Sequence, residues 1–308
     1  MTEPCDYLVF DISNLLHRSF FVDRGDDEET TAGLAVHSAL LLLNKYYKRF
    51  KPKQKVVMAF DRKSWRKEYT ASELCVSKKP YKGNRRKDMT PAQQEKYARF
   101  INHLKEFEQM IEKHTTIVTL AADRLEADDT IGGFCQIVAG PDVHIVIITT
   151  DSDLLQLVVH ENVSVISPET EKPQSLAKYN EDPLYYVFQK CIRGDTTDFI
   201  QSAYPRVRAT RIEKAWKDDY ERVRLMNESW TNENKVEFRV KDLFEENQLL
   251  IDLSKQPADI RKLIYETVDE AISRERKFSM FFLLKFIGKH KLLKIKDSLD
   301  QYIPLLST

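Results

Sequence analysis

Hydrophobic residues form short unbroken blocks along the first two thirds of the chain. The block from Val143 to Ile148 is nearly all β-branched. A block without alternating polar positions is typical of a parallel strand buried on both faces. Similar blocks predict four further strands at 7–10, 55–60, 116–120 and 163–166. Helical patterns lie between several of these strands, and this order predicts an α/β fold with a mostly parallel central sheet flanked by helices.

Two helices and a long irregular segment lie between the early strands. The pattern over 30–50 predicts one helix. Thr90 to Gln93 reads as a capping box with proline at the first helical position, and it predicts a second helix that ends near His114. Residues 62–89 show no clean periodicity, and a loop of this length in a compact domain is usually functional or disordered.

The chain changes character after the segment 172–183, which contains two prolines. Residues 184–308 show several helical patterns and no convincing strand. We therefore predict a metal-binding α/β domain over 1–190 and a helical portion over 191–308 packed on it. The apolar run 249–253 is expected to be core.

Composition limits the possible classes of protein. The hydrophobic fraction is 42%, and no apolar stretch approaches the ~20 residues of a membrane span. The first residues show no basic region of a secretory signal. Four scattered cysteines argue against a disulfide framework and a cysteine zinc site. We expect a cytoplasmic protein, in the host cytoplasm if it is phage-encoded, with no membrane partner.

The distribution of charge is more informative than its total, which is zero. Between Arg62 and Lys87 there are ten lysines and arginines against Glu68 and Glu73. A basic segment together with separate acidic residues indicates a binding surface for a polyanion, which runs toward carboxylates that bind metal.

Acidic residues stand where strands end. Those that follow a predicted strand or open the next helix are Asp11, Asp61, Glu126, Asp128, Asp151 and Asp153, and a further pair is Asp195 and Asp198. One such aspartate alone is most simply a helix cap. With 48 acids in 308 residues, however, roughly one position in six is acidic, so acids at most strand ends are unlikely to be accidental.

An oxygen-rich cluster suits Mg²⁺ or Mn²⁺ better than zinc, because hard cations prefer carboxylates and water. Two such ions activate a water and stabilise both oxygens of an in-line phosphoryl displacement. Asp195 and Asp198 share a face only if their segment is helical. Glu126 and Asp128 can both bind a metal only if their segment is not yet helical.

These residues carry a resemblance to the flap endonuclease (5′-nuclease) family, and within it to the ribonuclease H type of T-even-like phages. The motifs are Val9-Phe10-Asp11, Ala59-Phe60-Asp61, Tyr81-Lys82-Gly83-Asn84-Arg85, Glu126-Ala127-Asp128-Asp129, Thr150-Asp151-Ser152-Asp153 and Gly194-Asp195-x-x-Asp198. Each motif is weak singly, but the six in this order and spacing are strong, and they cover nearly the whole chain.

The resemblance implies an arch over the active site, formed here by 62–89, and a helix–turn–helix portion that grips duplex DNA. It implies that Asp11, Asp61, Glu126 and Asp128 hold a first metal. Asp128, Asp151 and Asp153 would hold a second, with Asp195 and Asp198 as direct or water-mediated ligands.

The basic motif implies contacts to the substrate. Lys82 and Arg85 are candidates to hold the scissile phosphate, and the ring of Tyr81 is a candidate to stack on a base. The family usually has a glycine-rich hairpin after Gly-Asp-x-x-Asp, but here Phe199 and the following residues lack those glycines. The side chains expected to contact the duplex instead are Arg206, Arg208, Arg211 and Lys214.

The sequence therefore predicts a Mg²⁺-dependent 5′→3′ exonuclease and flap endonuclease that removes primer RNA and adjacent DNA during phage replication. Its expected partners are 5′ flaps, nicks and RNA–DNA hybrids, together with a single-strand binding protein or sliding clamp, and we expect a monomer. One alternative is a non-catalytic, structure-specific DNA-binding protein of the same fold. Another is a haloacid dehalogenase-type phosphatase, but Ser13 stands where that class requires its second aspartate.

Overall fold

The computed structural model describes residues 4–21, 28–84 and 90–308, with the backbone alone for 18–21 and 28–34. Its centre is a five-stranded sheet in which every neighbouring pair is parallel. The strands are β1 Tyr7–Asp11, β2 Lys55–Ala59, β3 Val118–Leu120, β4 Ile145–Ile148 and β5 Val163–Ile166. Each of the five lies within or overlaps a predicted strand, so the predicted parallel sheet is confirmed.

The strand order is β3-β2-β1-β4-β5, which places β1 at the centre. Phe10 pairs with Met58 of β2 on one side and with Ile148 of β4 on the other. The chain builds the sheet outward from β1 in one direction and then returns to build it in the other. In open parallel sheets the crevice for a ligand lies at such a reversal, beyond the carboxyl ends of the strands.

Helices cover both faces of the sheet. They are α1 Ile12–Phe21, α2 Glu28–Phe50, α3 Trp65–Thr70, α4 Pro91–His114, α5 Ala127–Val138, α6 Pro183–Arg193, α7 Ala209–Lys217, α8 Asp219–Met226, α9 Val240–Ile251, α10 Ala258–Ser273, α11 Met280–Lys289, α12 Leu293–Lys296 and α13 Ile303–Ser307, with 3₁₀ helices at Ser152–Val159, Ala177–Tyr179 and Leu299–Gln301. The capping box at Thr90 is present. Among the described residues, no helix is long and apolar enough to cross a bilayer.

Side chains on the two faces of β1 pack into two separate cores, because side chains alternate along a strand. Val9 packs into a core with α5, α6, α9 and α10. Leu8 and Phe10 pack into the opposite core, which contains side chains of α2, α4 and α11. Leu250 and Leu253 are buried in the first core, as expected for the apolar run 249–253.

The prediction that residues 184–308 contain no strand is wrong. β6 Ser229–Thr231 and β7 Glu237–Arg239 form an antiparallel hairpin. Trp230 and Phe238 face each other across it, with ring centroids 5.3 Å apart. Asn232 closes the turn by accepting two backbone hydrogen bonds. Strands of three residues are too short to show a period, so cross-strand ring packing, which is not visible in sequence, decides this element.

Helix α6 runs across the predicted boundary at 190/191. Its Phe188 packs against Trp216 of α7 and Phe244 of α9. The two portions therefore share a helix and a core, and their division into domains stays a prediction. Within 62–84, the described part of the predicted arch, the regular structure is the short helix α3 followed by turns.

Candidate metal centre and active site

Three aspartates meet at the carboxyl ends of the central strands. Asp11 ends β1, Asp61 follows β2, and Asp151 follows β4 and caps the 3₁₀ helix Ser152–Val159. The Ser13 hydroxyl accepts a 2.8 Å hydrogen bond from the Asp61 amide, and the Thr149 hydroxyl donates to Asp11 Oδ2 at 3.0 Å. Asp151 is thus a helix cap and also a member of the carboxylate group, so the two interpretations of this residue are compatible.

The crowding of these groups is visible in the pKa of Asp11. Burial, together with the nearby charges of Asp61 and Asp151, raises this pKa from 3.8 to about 8. The groups that lower it are neutral hydrogen-bond donors, the Asn14 amide and the Thr149 hydroxyl. A buried carboxyl beside two others favours its neutral form unless a cation joins the group.

Glu126 and Asp128 sit at the amino end of α5. Glu126 is the N-cap and has an extended backbone, with φ −90° and ψ 164°. The segment is therefore not yet helical at Glu126, which satisfies the condition for both side chains to bind one metal. Oxygens of Glu126, Asp128 and Asp129 lie within 4.8 Å of one another. The Ala127 amide donates to Asp61 Oδ1 at 2.8 Å, which ties this group to the central aspartates.

A buried arginine that the sequence did not single out supports this end of the site. Arg66 is 1% exposed, and its Nη1 and Nη2 each lie 2.9 Å from an oxygen of Asp129. Nη1 also lies 3.2 Å from Glu126 Oε2, and Nε donates to the Leu250 carbonyl. Bidentate pairing engages both oxygens of Asp129, which gives Asp129 a structural role in holding Arg66 beside the candidate ligands. In sequence, Arg66 is hidden within the basic run 62–87.

Lys82 and Tyr81 contact the carboxylates directly. Lys82 Nζ touches Glu126 Oε1 and lies 3.5 Å from Asp198 Oδ2. Although burial raises it, the pKa of Glu126 is lowered to about 2 by Lys82 and Arg66. The Tyr81 hydroxyl is 3.0 Å from Glu126 and 2.7 Å from Asp198. The ring of Tyr81 is 4% exposed, so in this conformation it is not presented to a base, and the predicted stacking role does not fit.

The opposite flank is organised by Lys190, a second residue missed in the sequence. Its Nζ contacts Asp153 and lies 2.8 Å from Asp195 Oδ2. Burial raises the pKa of Asp153 to about 6, with Lys190 opposing the rise and Asp151 adding to it. Lys190 lies on α6, where nothing in the local pattern distinguishes it from a solvated lysine.

Asp195 and Asp198 do not share a helix face. Their segment is a turn in which Asp195 Oδ1 accepts hydrogen bonds from the amides of Thr197, at 2.7 Å, and Asp198, at 3.2 Å. Asp195 therefore joins the Lys190 flank, and Asp198 joins the Lys82 flank. Gly194 precedes them with φ 69° and ψ −168°, a region that is essentially glycine-only.

The residues predicted to contact duplex DNA differ in their surroundings. The side chains of Arg206, Arg208 and Lys214 are exposed, although Lys214 pairs with Glu221 at 2.7 Å. Arg211 is ion-paired with Glu228. Arg85 lies outside the described residues.

The eight predicted metal ligands thus lie in three linked groups at one edge of the sheet.

The protein-family model described as "5′-3′ exonuclease, N-terminal resolvase-like domain" matches residues 6–188, more than half of the chain. The chain belongs to this 5′-3′ exonuclease family. No curated protein matches the chain in sequence.

Solved structures with a similar fold come from bacteriophage T5. Its flap endonuclease crystallised with metal ions is 18% identical, with a TM-score of 0.62 over 88% of this chain and 99% of that chain. A pseudo-enzyme–product complex of the same endonuclease with DNA and metal ions is 17% identical, with a TM-score of 0.62 over 89% and 100%. The T5 5′-exonuclease with zinc bound is 18% identical, with a TM-score of 0.60 over 88% and 99%.

Proposed function

We propose that this protein is a Mg²⁺-dependent 5′→3′ exonuclease and flap endonuclease that uses two metal ions. The observation that carries the proposal is the convergence of carboxylates from well-separated chain segments at the crevice beside β1. Asp11, Asp61 and Asp151 influence one another electrostatically there, and Glu126 and Asp153 flank them. Family membership supports the same reaction class.

The donor set fits hard divalent cations. All eight candidate ligands are carboxylates, which suit Mg²⁺ or Mn²⁺. Burial and then the charges of Asp61 and Asp151 raise the pKa of Asp11, and burial raises the pKa of Asp128 although Arg66 opposes the rise. A bound cation would favour the ionised form of both carboxyls. We assign Asp11, Asp61, Glu126 and Asp128 to one ion. The ligands assigned to the second ion are Asp128, Asp151 and Asp153, with Asp195 and Asp198 nearby. When bound, the two ions would supply an activated water and offset charge on the phosphate.

Lys82 is placed to exchange partners during the reaction. In this structure its ammonium contacts Glu126 and Asp198, and a cation bound by Glu126 would repel it. Its side chain would then turn toward the scissile phosphate, where charge develops. Arg85, three residues on, is proposed for the same phosphate. Tyr81 is reassigned as a positioning residue, because its hydroxyl bridges Glu126 and Asp198.

Duplex DNA would lie beside the C-terminal portion, where Arg206, Arg208 and Lys214 expose their side chains. Arg211 would join them only by leaving Glu228. A scissile bond within duplex must fray to reach the sheet crevice, which costs a few kcal/mol and least at an end or nick. This cost favours 5′ ends and flaps over continuous duplex.

The biological substrates would be 5′ flaps, nicked DNA and primer RNA paired with DNA during phage replication. The T5 flap endonuclease, which has the same fold, has been crystallised in a complex with DNA and metal ions. A single-strand binding protein or a clamp as partner, action as a monomer and a cytoplasmic location in the infected host remain part of this proposal.

A 5′-labelled flap substrate tests the activity with Mg²⁺ and with EDTA. We expect release of short labelled products only with metal. Asp153→Asn should lose cleavage at single turnover and keep binding in a gel-shift assay. Asp142→Asn, a change at an exposed aspartate before β4, should cleave normally. A wild-type protein that shifts the flap in Mg²⁺ without cutting it would support the non-catalytic DNA-binding alternative.

Lys82→Ala separates chemistry from folding. Loss of a group that stabilises transition-state charge typically costs about 10²–10³ in rate, so we expect slower single-turnover cleavage. An unchanged far-ultraviolet circular dichroism spectrum would show that the fold is kept. Lys79→Ala, at an exposed lysine of the same segment, is the matched control. Equal rates for Lys82→Ala and wild type would remove Lys82 from the active site.

A further inference from the structure

A second group of metal-binding side chains lies away from the carboxylate site, between α4 and α11. His103 and Glu106 are three residues apart on α4 and therefore share a face. His290 is the C-cap of α11. One donor atom from each of the three lies within 4.8 Å of the others. The fold thus pairs two of the scattered histidines across 187 residues of sequence.

The spacing of the two imidazoles fits a shared ion. The Nδ1 atoms of His103 and His290 are 3.1 Å apart. Two nitrogens bound to one tetrahedral Zn²⁺ at 2.0–2.1 Å would be separated by roughly 3.3 Å. Glu106 Oε2 lies 3.0 Å from Nε2, the other ring nitrogen of His290, so the carboxylate has to swing toward the Nδ1 side of the ring to complete this geometry. Glu106 is 38% exposed and has the freedom to make that movement.

His290 is buried, and its present contact with Glu106 is not a well-formed hydrogen bond. Its side chain is 1% exposed. Its Nε2 lies 3.0 Å from Glu106 Oε2 but makes no hydrogen bond of acceptable geometry to any described residue, so this contact does not hold Glu106 in place. The Phe286 ring packs on the imidazole at a centroid distance of 4.3 Å. Burial lowers the pKa of His290, and His103 lowers it further, which keeps the imidazole neutral, the form that binds metals.

Glu106 is already ionised and has one competing partner. The Lys289 ammonium lies 2.8 Å from Glu106 Oε2, and this contact lowers the pKa of Glu106. Lys289 is 63% exposed, so its side chain can leave toward solvent when a cation arrives.

We propose that His103, Glu106 and His290 form a binding site for a divalent transition metal, with Zn²⁺ as the best match, distinct from the Mg²⁺ centre. Two imidazole nitrogens and one carboxylate oxygen are a donor set that zinc accepts, with water at the fourth position. The ion would tie α4, which follows segment 62–89, to α11 in the C-terminal portion. This site does not depend on the nuclease assignment.

The test uses the full-length protein saturated with Mg²⁺, so that the carboxylate centre is occupied, and titrates Zn²⁺ against a chromophoric chelator. We expect one tight zinc equivalent. His103→Gln should weaken it by at least about 10–100-fold, the loss typical of removing even a supporting partner of a metal ligand. Lys289→Gln should bind zinc as well as wild type or better, since it removes the competing ammonium.

X-ray absorption on the zinc-loaded protein should show imidazole nitrogen among the ligands, and zinc should raise the melting temperature in excess Mg²⁺. Because His290 is buried, Glu106→Gln at the half-exposed position serves as the second variant and should also weaken zinc. Equal zinc affinity in wild type, His103→Gln and Glu106→Gln, or an all-oxygen ligand shell, would overturn the proposal. Nuclease activity in Mg²⁺ is not part of the readout.

Discussion

Asp11→Asn provides the sharpest test of the carboxylate centre, because it should stabilise the metal-free protein and lose this advantage in the metal-loaded protein. Asp11 is 5% exposed, and burial together with Asp61 and Asp151 raises its pKa from 3.8 to about 8. The folded protein therefore holds this proton more tightly than the unfolded chain does. Its contribution to the free energy of unfolding is most favourable below about pH 4 and is lost as pH rises toward 8.

The size of the effect follows from the pKa. Each pKa unit corresponds to about 1.4 kcal/mol. The unfolded chain releases the Asp11 proton between pH 5 and pH 8 while the metal-free fold retains it, which costs the fold about 4 kcal/mol over this range. Asparagine resembles the protonated form and does not ionise. In EDTA, the variant should therefore gain stability relative to wild type by up to about 4 kcal/mol over this pH range. Urea unfolding at both pH values measures the difference.

Metal should remove the advantage of the variant. An ion present at a thousand times its Kd stabilises the wild type by about 4.1 kcal/mol, whereas Asp11→Asn lacks a ligand and should gain much less. Asp142→Asn, an exposed position before β4, should follow wild type in all four conditions. If wild type and Asp11→Asn show the same pH dependence in EDTA and the same gain in Mg²⁺, Asp11 does not belong to a repulsive, metal-binding cluster.

Four further changes test individual contacts. Gly194→Ala should lower the free energy of unfolding in urea by at least about 1–3 kcal/mol, because the added Cβ would lie 2.6 Å from backbone atoms of the following turn. Gly288→Ala, whose added Cβ has no described atom within 4 Å, should be neutral or stabilising. Equal losses in the two variants would contradict the backbone argument. Arg206→Ala should weaken duplex binding and lower the salt slope by about one unit, and an unaltered slope in fluorescence anisotropy would remove Arg206 from the interface. Tyr81→Phe keeps the ring and removes the hydroxyl that bridges Glu126 and Asp198, so it should reduce cleavage through misplaced Glu126 while single-strand affinity is kept. Single-turnover cleavage equal to wild type would show that the hydroxyl does not position Glu126. Lys190→Met should destabilise the metal-free protein by about 3–5 kcal/mol in urea unfolding, since it leaves buried charges unpaired. Mg²⁺ should restore much of that loss. If the stability of the variant is the same with and without Mg²⁺, Lys190 does not neutralise metal ligands.

Most of the sheet and of the acidic set could be predicted because both depend on local signals. A buried parallel strand is a block of β-branched residues, and a carboxylate at its end is visible in the same few letters. The positions of Asp11, Asp61 and Asp151 around the crevice follow from the parallel order alone. The condition placed on Glu126 was also a local one, namely whether the helix had begun.

What escaped prediction depends on distant partners. Arg66 and Lys190 are ordinary basic residues until the fold brings Asp129 or Asp195 to them. Burial of Tyr81 arises from packing of the segment 62–84 against the site, which no periodicity reveals. The hairpin of β6 and β7 escaped for the same reason, because a single ring pair across two very short strands specifies it.

The pairing of Lys82 and Lys190 with the flanking carboxylates has a consequence for how the protein acquires its ions. Each ammonium neutralises part of the negative charge, so the carboxylates on both flanks are partly compensated before any ion binds. For the proposed metal centre, loading would then be an exchange, in which an arriving ion displaces a resident lysine from an oxygen. Such an exchange selects for doubly charged ions, since a singly charged one offers the carboxylates no more than the lysine it replaces.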